Sequence, residues 1–181
     1  EYDIRSTLRV LFNSDFFKDA RFARLKSPAE VVVGTLKLVG GFEFPAPGIG
    51  EMSRQPNYMG QDLLNPPSVE GWHTGTEWIN SGSLMRRINF TADMVGNTSR
   101  PGVQSMINRL KEQNSQTPEA FVDACLELMG PLEVNQETRQ ELVDHAKIGG
   151  NLNWASDAAG SSERVGELLQ LIVSTRDYQY A

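Results

Sequence analysis

Apolar residues recur along most of the chain at intervals of three and four positions, the spacing of one face of an α-helix. One example is the series Val103, Met106, Ile107 and Leu110, and similar series fill most of the second half. The sequence shows no convincing apolar–polar alternation, no Asn-Gly or Asp-Gly hairpin turn and no internal repeat. The pattern predicts an all-α fold, an irregular bundle of about seven helices that forms a single domain over residues 1–181.

The third predicted helix has the clearest boundaries. Ser27 is a capping residue, Pro28 occupies the first helical position, and Glu30 is placed to complete a capping box. Gly40-Gly41 supplies a left-handed stop. The β-branched run Val31–Val33 favours a strand, but the cap, the length and the glycine exit together favour a helix.

The N-terminal segment is predicted to be helical from its first residues, since Ile4 and Leu8 are already at helical spacing. The following stretch, "SDFFKDARF", predicts a short helix or turn that buries Phe16, Phe17 and Phe22. The chain opens inside a helical pattern and has neither an initiator methionine nor a secretory signal. We therefore expect it to be the C-terminal part of a longer protein.

From Gly41 to Gly82, five prolines and repeated glycines interrupt every regular pattern. A short helix from Glu51 to Met59 fits there only if Pro56 lies in its first turn or at a kink. A connection of this length is uncommon inside a compact domain and, when ordered, is often functional. We predict a long structured loop that is folded around Trp72.

Composition narrows the class of partner. With 39% apolar and 22% charged residues the chain is typical of globular proteins, and a net charge of −6 argues against binding to nucleic acid. No apolar run approaches the roughly 20 residues of a membrane span.

The single Cys125 lies among apolar residues at helical spacing, which predicts a buried, inert thiol. His73 and His145 lack zinc-type spacing, and we predict no metal or cofactor.

The loop and the helix after it carry the candidate binding residues. Trp72 and Trp78 could form a stacking platform for a sugar face or a partner side chain, or could pin the loop onto the helices beneath it. Arg86, Arg87 and Asn89 could bind a carboxylate or a phosphate. In the structural alternative, one arginine packs its stem and holds loop carbonyl groups while the other is solvated. The structural role is favoured for both groups.

Three ionisable residues of the loop, Glu70, His73 and Glu77, are candidates for acid–base chemistry or, with Asp62, for metal binding. Their spacing crosses a loop, so it does not force the side chains together. Solvated side chains and local turn capping are the favoured interpretation.

Four segments, residues 2–17, 26–40, 59–90 and 172–181, follow one another in the order seen in a bacterial family. The most specific is the series Met-Gly-Gln…Pro-Pro…Gly-Trp…Trp…Asn…Leu…Arg…Asn-Phe within residues 59–90. On these residues the chain resembles the family catalogued as domain of unknown function 1800. The resemblance implies a longer, exported parent protein and an extracytoplasmic location, in the periplasm or cell envelope, and it implies no activity.

Two hypotheses follow. The first is a non-enzymatic helical module that acts in binding or assembly, with the missing N-terminal part of the parent chain or an envelope component as its partner. The second is a hydrolase-type enzyme that acts on envelope polymer or carbohydrate through the acid–base groups of the loop. An enzyme requires at least two such groups within hydrogen-bond reach of a common point. The candidate surface of the first hypothesis comprises Trp72, His73, Trp78, Arg86, Arg87 and Asn89.

Overall fold

The computed structural model describes residues 3–42, 47–113, 115–130 and 132–181, and within them the chain forms nine α-helices. They are α1 (Ile4–Asn13), α2 (Asp15–Asp19), α3 (Pro28–Val39), α4 (Ile49–Tyr58), α5 (Ser81–Gly96), α6 (Pro101–Lys111), α7 (Pro118–Leu128), α8 (Gln136–Ile148) and α9 (Ala158–Ser174). The other elements are two 3-10 helices, Gly75–Trp78 and Asp177–Gln179, and an antiparallel pair of two-residue strands, β1 (Ser115–Gln116) and β2 (Leu152–Asn153). The all-α prediction is confirmed. The count exceeds seven because the short segments α2 and α4 are also helical.

The α9 helix is the centre of the hydrophobic core. It packs mainly against α5 and also contacts α7 and α8, while α3 covers another side of α5. The backbones of α5 and α9 approach closely because Gly166 has no side chain, and a Cβ there would lie 3.3 Å from the carbonyl oxygen of Gly96. Gln170 crosses the same contact, and its side-chain amide donates to the carbonyl oxygen of Ala92 at 3.2 Å.

The start of α3 follows the local signals in the sequence. The Ser27 hydroxyl accepts the N–H of Glu30 at 3.3 Å, and the Glu30 carboxylate accepts the N–H of Ser27 at 2.7 Å. Gly40 ends the helix with a positive φ of +69°, which glycine adopts without strain. The run Val31–Val33 is helical, because its first two members are buried on the core side of α3.

The prediction that the N-terminal phenylalanines are buried is wrong for two of the three. Phe16 is 79% exposed and Phe17 is 45% exposed, whereas Phe22 is half-buried. Helices α1 and α2 bury none of their residues. Helical spacing gives them an apolar face, but no other described element covers it.

Pro56 lies in the last turn of α4 and not in the first turn, one of the two positions predicted for it, because the helix already begins at Ile49. Proline has no N–H, so the helical hydrogen bond to Met52 is lost. In the turn that follows, the carbonyl oxygen of Pro56 accepts the N–H of Gln61 at 2.8 Å. Pro45, which belongs to the predicted loop, lies outside the described residues.

Cys125 is fully buried in α7, as predicted. Burial raises the pKa of its thiol to about 12, so the reactive thiolate is suppressed at neutral pH. None of the helices in the described ranges is both long enough and apolar enough to cross a membrane.

Gly102→Ala is expected to destabilise the fold, because a Cβ at this position would clash with the carbonyl oxygen of Leu38 where α6 begins against the end of α3. We expect the free energy of unfolding to fall by about 1–3 kcal/mol, the usual cost of overpacking. Gly34→Ala is the matched control, since an added Cβ there meets no atom within 4 Å. In the interior of α3 alanine should raise the free energy of unfolding by about 0.5–1 kcal/mol. Urea unfolding measures the free energy of unfolding of both variants. Equal stability of the two would contradict the close contact between the start of α6 and the end of α3.

Candidate functional site

The described part of the predicted loop folds back on itself around Trp72. The indole N–H of Trp72 donates to the carbonyl oxygen of Asp62 at 3.2 Å. A tight turn brings the N–H of Gly71 to the carbonyl oxygen of Ser68 at 3.1 Å, and the φ of Gly71, +97°, is one that glycine adopts without strain. Trp72 is half-buried, so part of the residue remains accessible while its indole N–H anchors the loop.

Trp78 is the buried member of the tryptophan pair and ends the first 3-10 helix. Its carbonyl oxygen accepts a hydrogen bond from the Ser83 hydroxyl at 2.7 Å. Asn80 caps α5, because its side-chain oxygen accepts the N–H of Ser83 at 2.9 Å. Trp78 therefore pins the end of the loop onto the start of α5.

A cavity of about 380 Å³ lies between the loop and the start of α3, and we call it the Trp72 cavity. The loop contributes Trp72, His73 and Trp78 to its wall, and the opposite wall contains Arg24 and Glu30. The volume falls within the range of roughly 300–1,000 Å³ that is usual for small-molecule sites. Sequence reasoning missed Arg24 and Glu30, because they precede Trp72 by 48 and 42 positions and carry no motif that links them to the loop.

Arg24 and Glu30 form a two-pronged salt bridge on the cavity wall, with distances of 2.7 Å from Nη1 to Oε2 and 2.6 Å from Nη2 to Oε1. The Arg24 guanidinium lowers the pKa of Glu30 to about 2, and hydrogen bonds from Ser27 act in the same direction. Glu30 therefore stays ionised at neutral pH and cannot serve as a proton donor there.

The acid–base residues predicted from the loop do not converge in this cavity. His73 Nδ1 lies 3.4 Å from Glu77 Oε2, and both side chains are largely exposed. Glu77 also accepts the N–H of Thr74 at 3.3 Å, which is a local turn contact. Glu70 is exposed, and neither Glu70 nor Glu77 lines the cavity. Within the described ranges no group of three or more potential metal ligands occurs.

Arg87 is wholly buried, so it does not belong to the exposed candidate surface on which the sequence analysis placed it. Its Nη1 donates to the carbonyl oxygen of Lys26 at 2.8 Å, and burial lowers the pKa of the guanidinium. Nε and Nη2 have no hydrogen-bond partner among the residues that the structure describes. Because α3 and α9 both pack on α5, the stripe through Ser83, Arg87 and Thr91 is buried as well. Met85, two residues before Arg87, is exposed.

Arg86 and Asn89 lie on the exposed side of α5, away from the cavity wall. The Arg86 guanidinium carbon is 5.7 Å from the centroid of the Tyr58 ring. The structure thus divides the predicted surface into a cavity group (Trp72, His73 and Trp78), a buried arginine and two exposed residues of α5.

These features define a helical domain with a loop-walled cavity. The chain belongs to the DUF1800 family, described as a protein of unknown function, whose model matches residues 1–180. Comparisons with curated proteins and with solved structures give no match. Family membership confirms the resemblance and assigns no activity.

Glu30→Gln is expected to weaken the fold at neutral pH. The folded-state pKa of Glu30, about 2, lies below its ordinary value of 4.5. The carboxylate therefore stabilises the protein fully above pH 4.5 and progressively less as the pH falls toward 2. Both partners of the salt bridge are more than one-third exposed, so solvent screening limits the expected loss to about 1 kcal/mol.

Urea unfolding of Glu30→Gln and of the wild-type chain at pH 7, 5 and 3 measures this effect. Glu127→Gln, which removes an exposed carboxylate from α7, is the control. The difference between Glu30→Gln and the wild type should shrink at pH 3. A difference that stays constant across the series would argue against the ionic contact.

Proposed function

We propose that this chain is a non-enzymatic helical binding module of an exported bacterial protein, and that its ligand is a carbohydrate unit held in the Trp72 cavity. The observation that carries the proposal is the make-up of the cavity wall. Trp72 supplies an aromatic surface, while Arg24, Gln61 and His73 supply polar groups around it. A sugar has apolar C–H faces edged by hydroxyl groups, so an aromatic ring flanked by a few polar side chains complements it.

The hydrogen bonds within the cavity wall determine which polar groups remain free to bind a ligand. The indole N–H of Trp72 is used by Asp62, so Trp72 offers the surface of its ring. The side-chain oxygen of Gln61 accepts the N–H of Ala29 at 2.8 Å, a bond that does not use the amide nitrogen of Gln61. The wall also includes Thr74, whose side chain is exposed. The wall therefore offers several polar groups beside one fixed ring.

Binding is better supported than hydrolysis. Glycoside hydrolysis ordinarily needs two carboxyl groups that flank the scissile bond, one of them able to donate a proton. Among the described residues that line the cavity, Glu30 is the one with a carboxyl group, and its contact with Arg24 keeps it ionised. The hydrolase alternative therefore lacks a general acid at this place.

The same proposal includes a location in the periplasm or cell envelope, where envelope carbohydrate is accessible. It also includes attachment of the module to a preceding part of its parent protein, which would position the cavity against the polymer.

Isothermal titration calorimetry with three tetrasaccharides tests the proposal, using the N-acetylglucosamine tetramer, cellotetraose and maltotetraose. We expect saturable binding of at least one of them and no release of shorter sugars. Trp72→Ala should weaken that binding by about tenfold or more, since loss of an aromatic contact worth about 1.4 kcal/mol corresponds to a factor of ten.

Two further variants separate binding from folding. His73→Ala removes an exposed side chain of the wall and should weaken binding without a large change in thermal stability. Arg86→Ala is the matched control on α5, outside the cavity, and should leave the affinity unchanged. Failure of all three sugars to bind, or an equal loss in Arg86→Ala, would overturn the proposal.

A further inference from the structure

The Trp72 cavity contains a hydrogen-bond donor whose orientation is fixed by the fold. Gln61 lines the cavity although the residue is only 8% exposed. Its side-chain oxygen accepts the N–H of Ala29 at 2.8 Å, which sets the orientation of the whole amide group. The amide nitrogen makes no hydrogen bond to the residues that the structure describes and, unlike that of Gln179, it is not sealed from solvent. This nitrogen therefore offers its N–H groups to the cavity.

A fixed acceptor lies at the same turn of α3. The carboxylate of Glu30, the residue after Ala29, also lines the cavity. Its Oε2 accepts two hydrogen bonds, from Arg24 at 2.7 Å and from the N–H of Ser27 at 2.7 Å. Its Oε1 accepts one bond within the described residues, from Arg24 at 2.6 Å. A carboxylate oxygen has two lone pairs, so Oε1 keeps one acceptor site for a ligand.

Apolar groups complete this part of the wall. Leu25 and Trp78 are buried residues that nevertheless line the cavity. Trp72, which is half-buried, adds a third apolar group to the same wall. The wall thus combines a fixed N–H donor, a fixed anionic acceptor and an apolar surface, and these are the groups that complement an amide with a methyl substituent.

The same wall disfavours a ligand that binds through a negative charge. The Arg24 guanidinium is already held by both oxygens of Glu30. The first turn of α3 has no free N–H group to offer, because its first residue is a proline and its next two N–H groups are bound by Gln61 and Ser27. A carboxylated or phosphorylated sugar would therefore bring its charge close to that of Glu30, which costs energy.

We propose, building on the carbohydrate-binding function above, that the Trp72 cavity selects a sugar with an acetamido group, an N-acetylhexosamine, over the corresponding plain hexose. The acetamido carbonyl oxygen accepts an N–H of Gln61, the acetamido N–H donates to Glu30, and the methyl group contacts the apolar residues. A hydroxyl group in the same place has no methyl group and is too small to reach all three parts of the wall together.

Calorimetry with the N-acetylglucosamine tetramer and cellotetraose tests this selectivity. Both are β-1,4-linked chains of glucose units, and they differ only at C2, where the first carries an acetamido group and the second a hydroxyl group. We expect the N-acetylglucosamine tetramer to bind at least about tenfold more tightly, since a site built to hydrogen-bond a group rejects an analogue that lacks it.

Gln61→Glu removes the donor and keeps the acceptor, because a carboxylate oxygen can still accept the N–H of Ala29. We expect this change to lower the affinity for the N-acetylglucosamine tetramer by about tenfold and to alter that for cellotetraose by less than about twofold. Gln136→Glu is the matched control, since it makes the same change of charge at an exposed position of α8 and should bind both sugars as the wild type does. Circular dichroism checks that both variants fold.

The side-chain amide signals of Gln61 in ¹⁵N-correlated NMR spectra of the wild-type chain give a second readout, which does not depend on a variant. They should shift saturably with the N-acetylglucosamine tetramer and stay in place with cellotetraose. An unmoved Gln61 signal during selective binding would overturn the assignment of this donor.

Equal affinity for the two tetramers, or tighter binding of cellotetraose, would overturn the selectivity and leave the carbohydrate-binding proposal standing. If neither of them binds, and maltotetraose does not bind either, both proposals fail together. The two failures are therefore distinguishable in the same set of titrations.

Discussion

A buried hydrogen bond from the Arg87 guanidinium to the carbonyl oxygen of Lys26 fixes the segment on which the candidate site depends. The N–H of Lys26 donates to the carbonyl oxygen of Gln179 at 2.9 Å on its other side. Arg24 and Ala181 exchange two further backbone hydrogen bonds, of 3.3 Å and 2.8 Å. The segment before α3 is therefore held between α5 and the C-terminal residues. Breaking the Arg87 contact would leave a buried charge with even fewer partners, which is costly in a protein interior.

Because this segment also forms part of the cavity wall, some of its residues make more than one structural contact. Glu30 closes the capping box of α3 and also binds Arg24, so the same carboxylate starts a helix and shapes the wall. Lys26 lies behind them, with its ammonium donating to the carbonyl oxygen of Tyr178 at 2.7 Å and lying 4.4 Å from the centroid of that ring. Burial lowers the pKa of Lys26, while the charge of Glu30 opposes this shift. The cavity is thus supported by the same contacts that join the two ends of the described fold.

Sequence reasoning succeeded where the deciding interactions are local. The cap at Ser27 involves a partner three residues away, Glu30, and the sequence predicts it. Sequence reasoning failed where packing between distant elements determines which side chains are buried. Arg87 is buried because α3 and α9 both pack on α5. Phe16 is exposed because no described element covers α2. The spacing of apolar and polar residues in the sequence does not distinguish these two cases. The salt bridge of Arg24 became part of the candidate site only through the fold, which sets it opposite a loop distant in sequence. The strand pair of β1 and β2 is two residues long, too short for any alternation to appear.

The most direct test of the Trp72 cavity uses the three indole N–H groups of the chain as separate reporters in ¹⁵N-correlated NMR spectra. Trp72 lines the cavity and is half-buried, whereas Trp154 belongs to the hydrophobic core and does not line it. On titration with the tetrasaccharide that binds, we expect a saturable shift of the Trp72 indole signal and an unchanged Trp154 signal. A shift confined to Trp154, or equal shifts of all three signals, would contradict the assignment of ligand binding to this cavity.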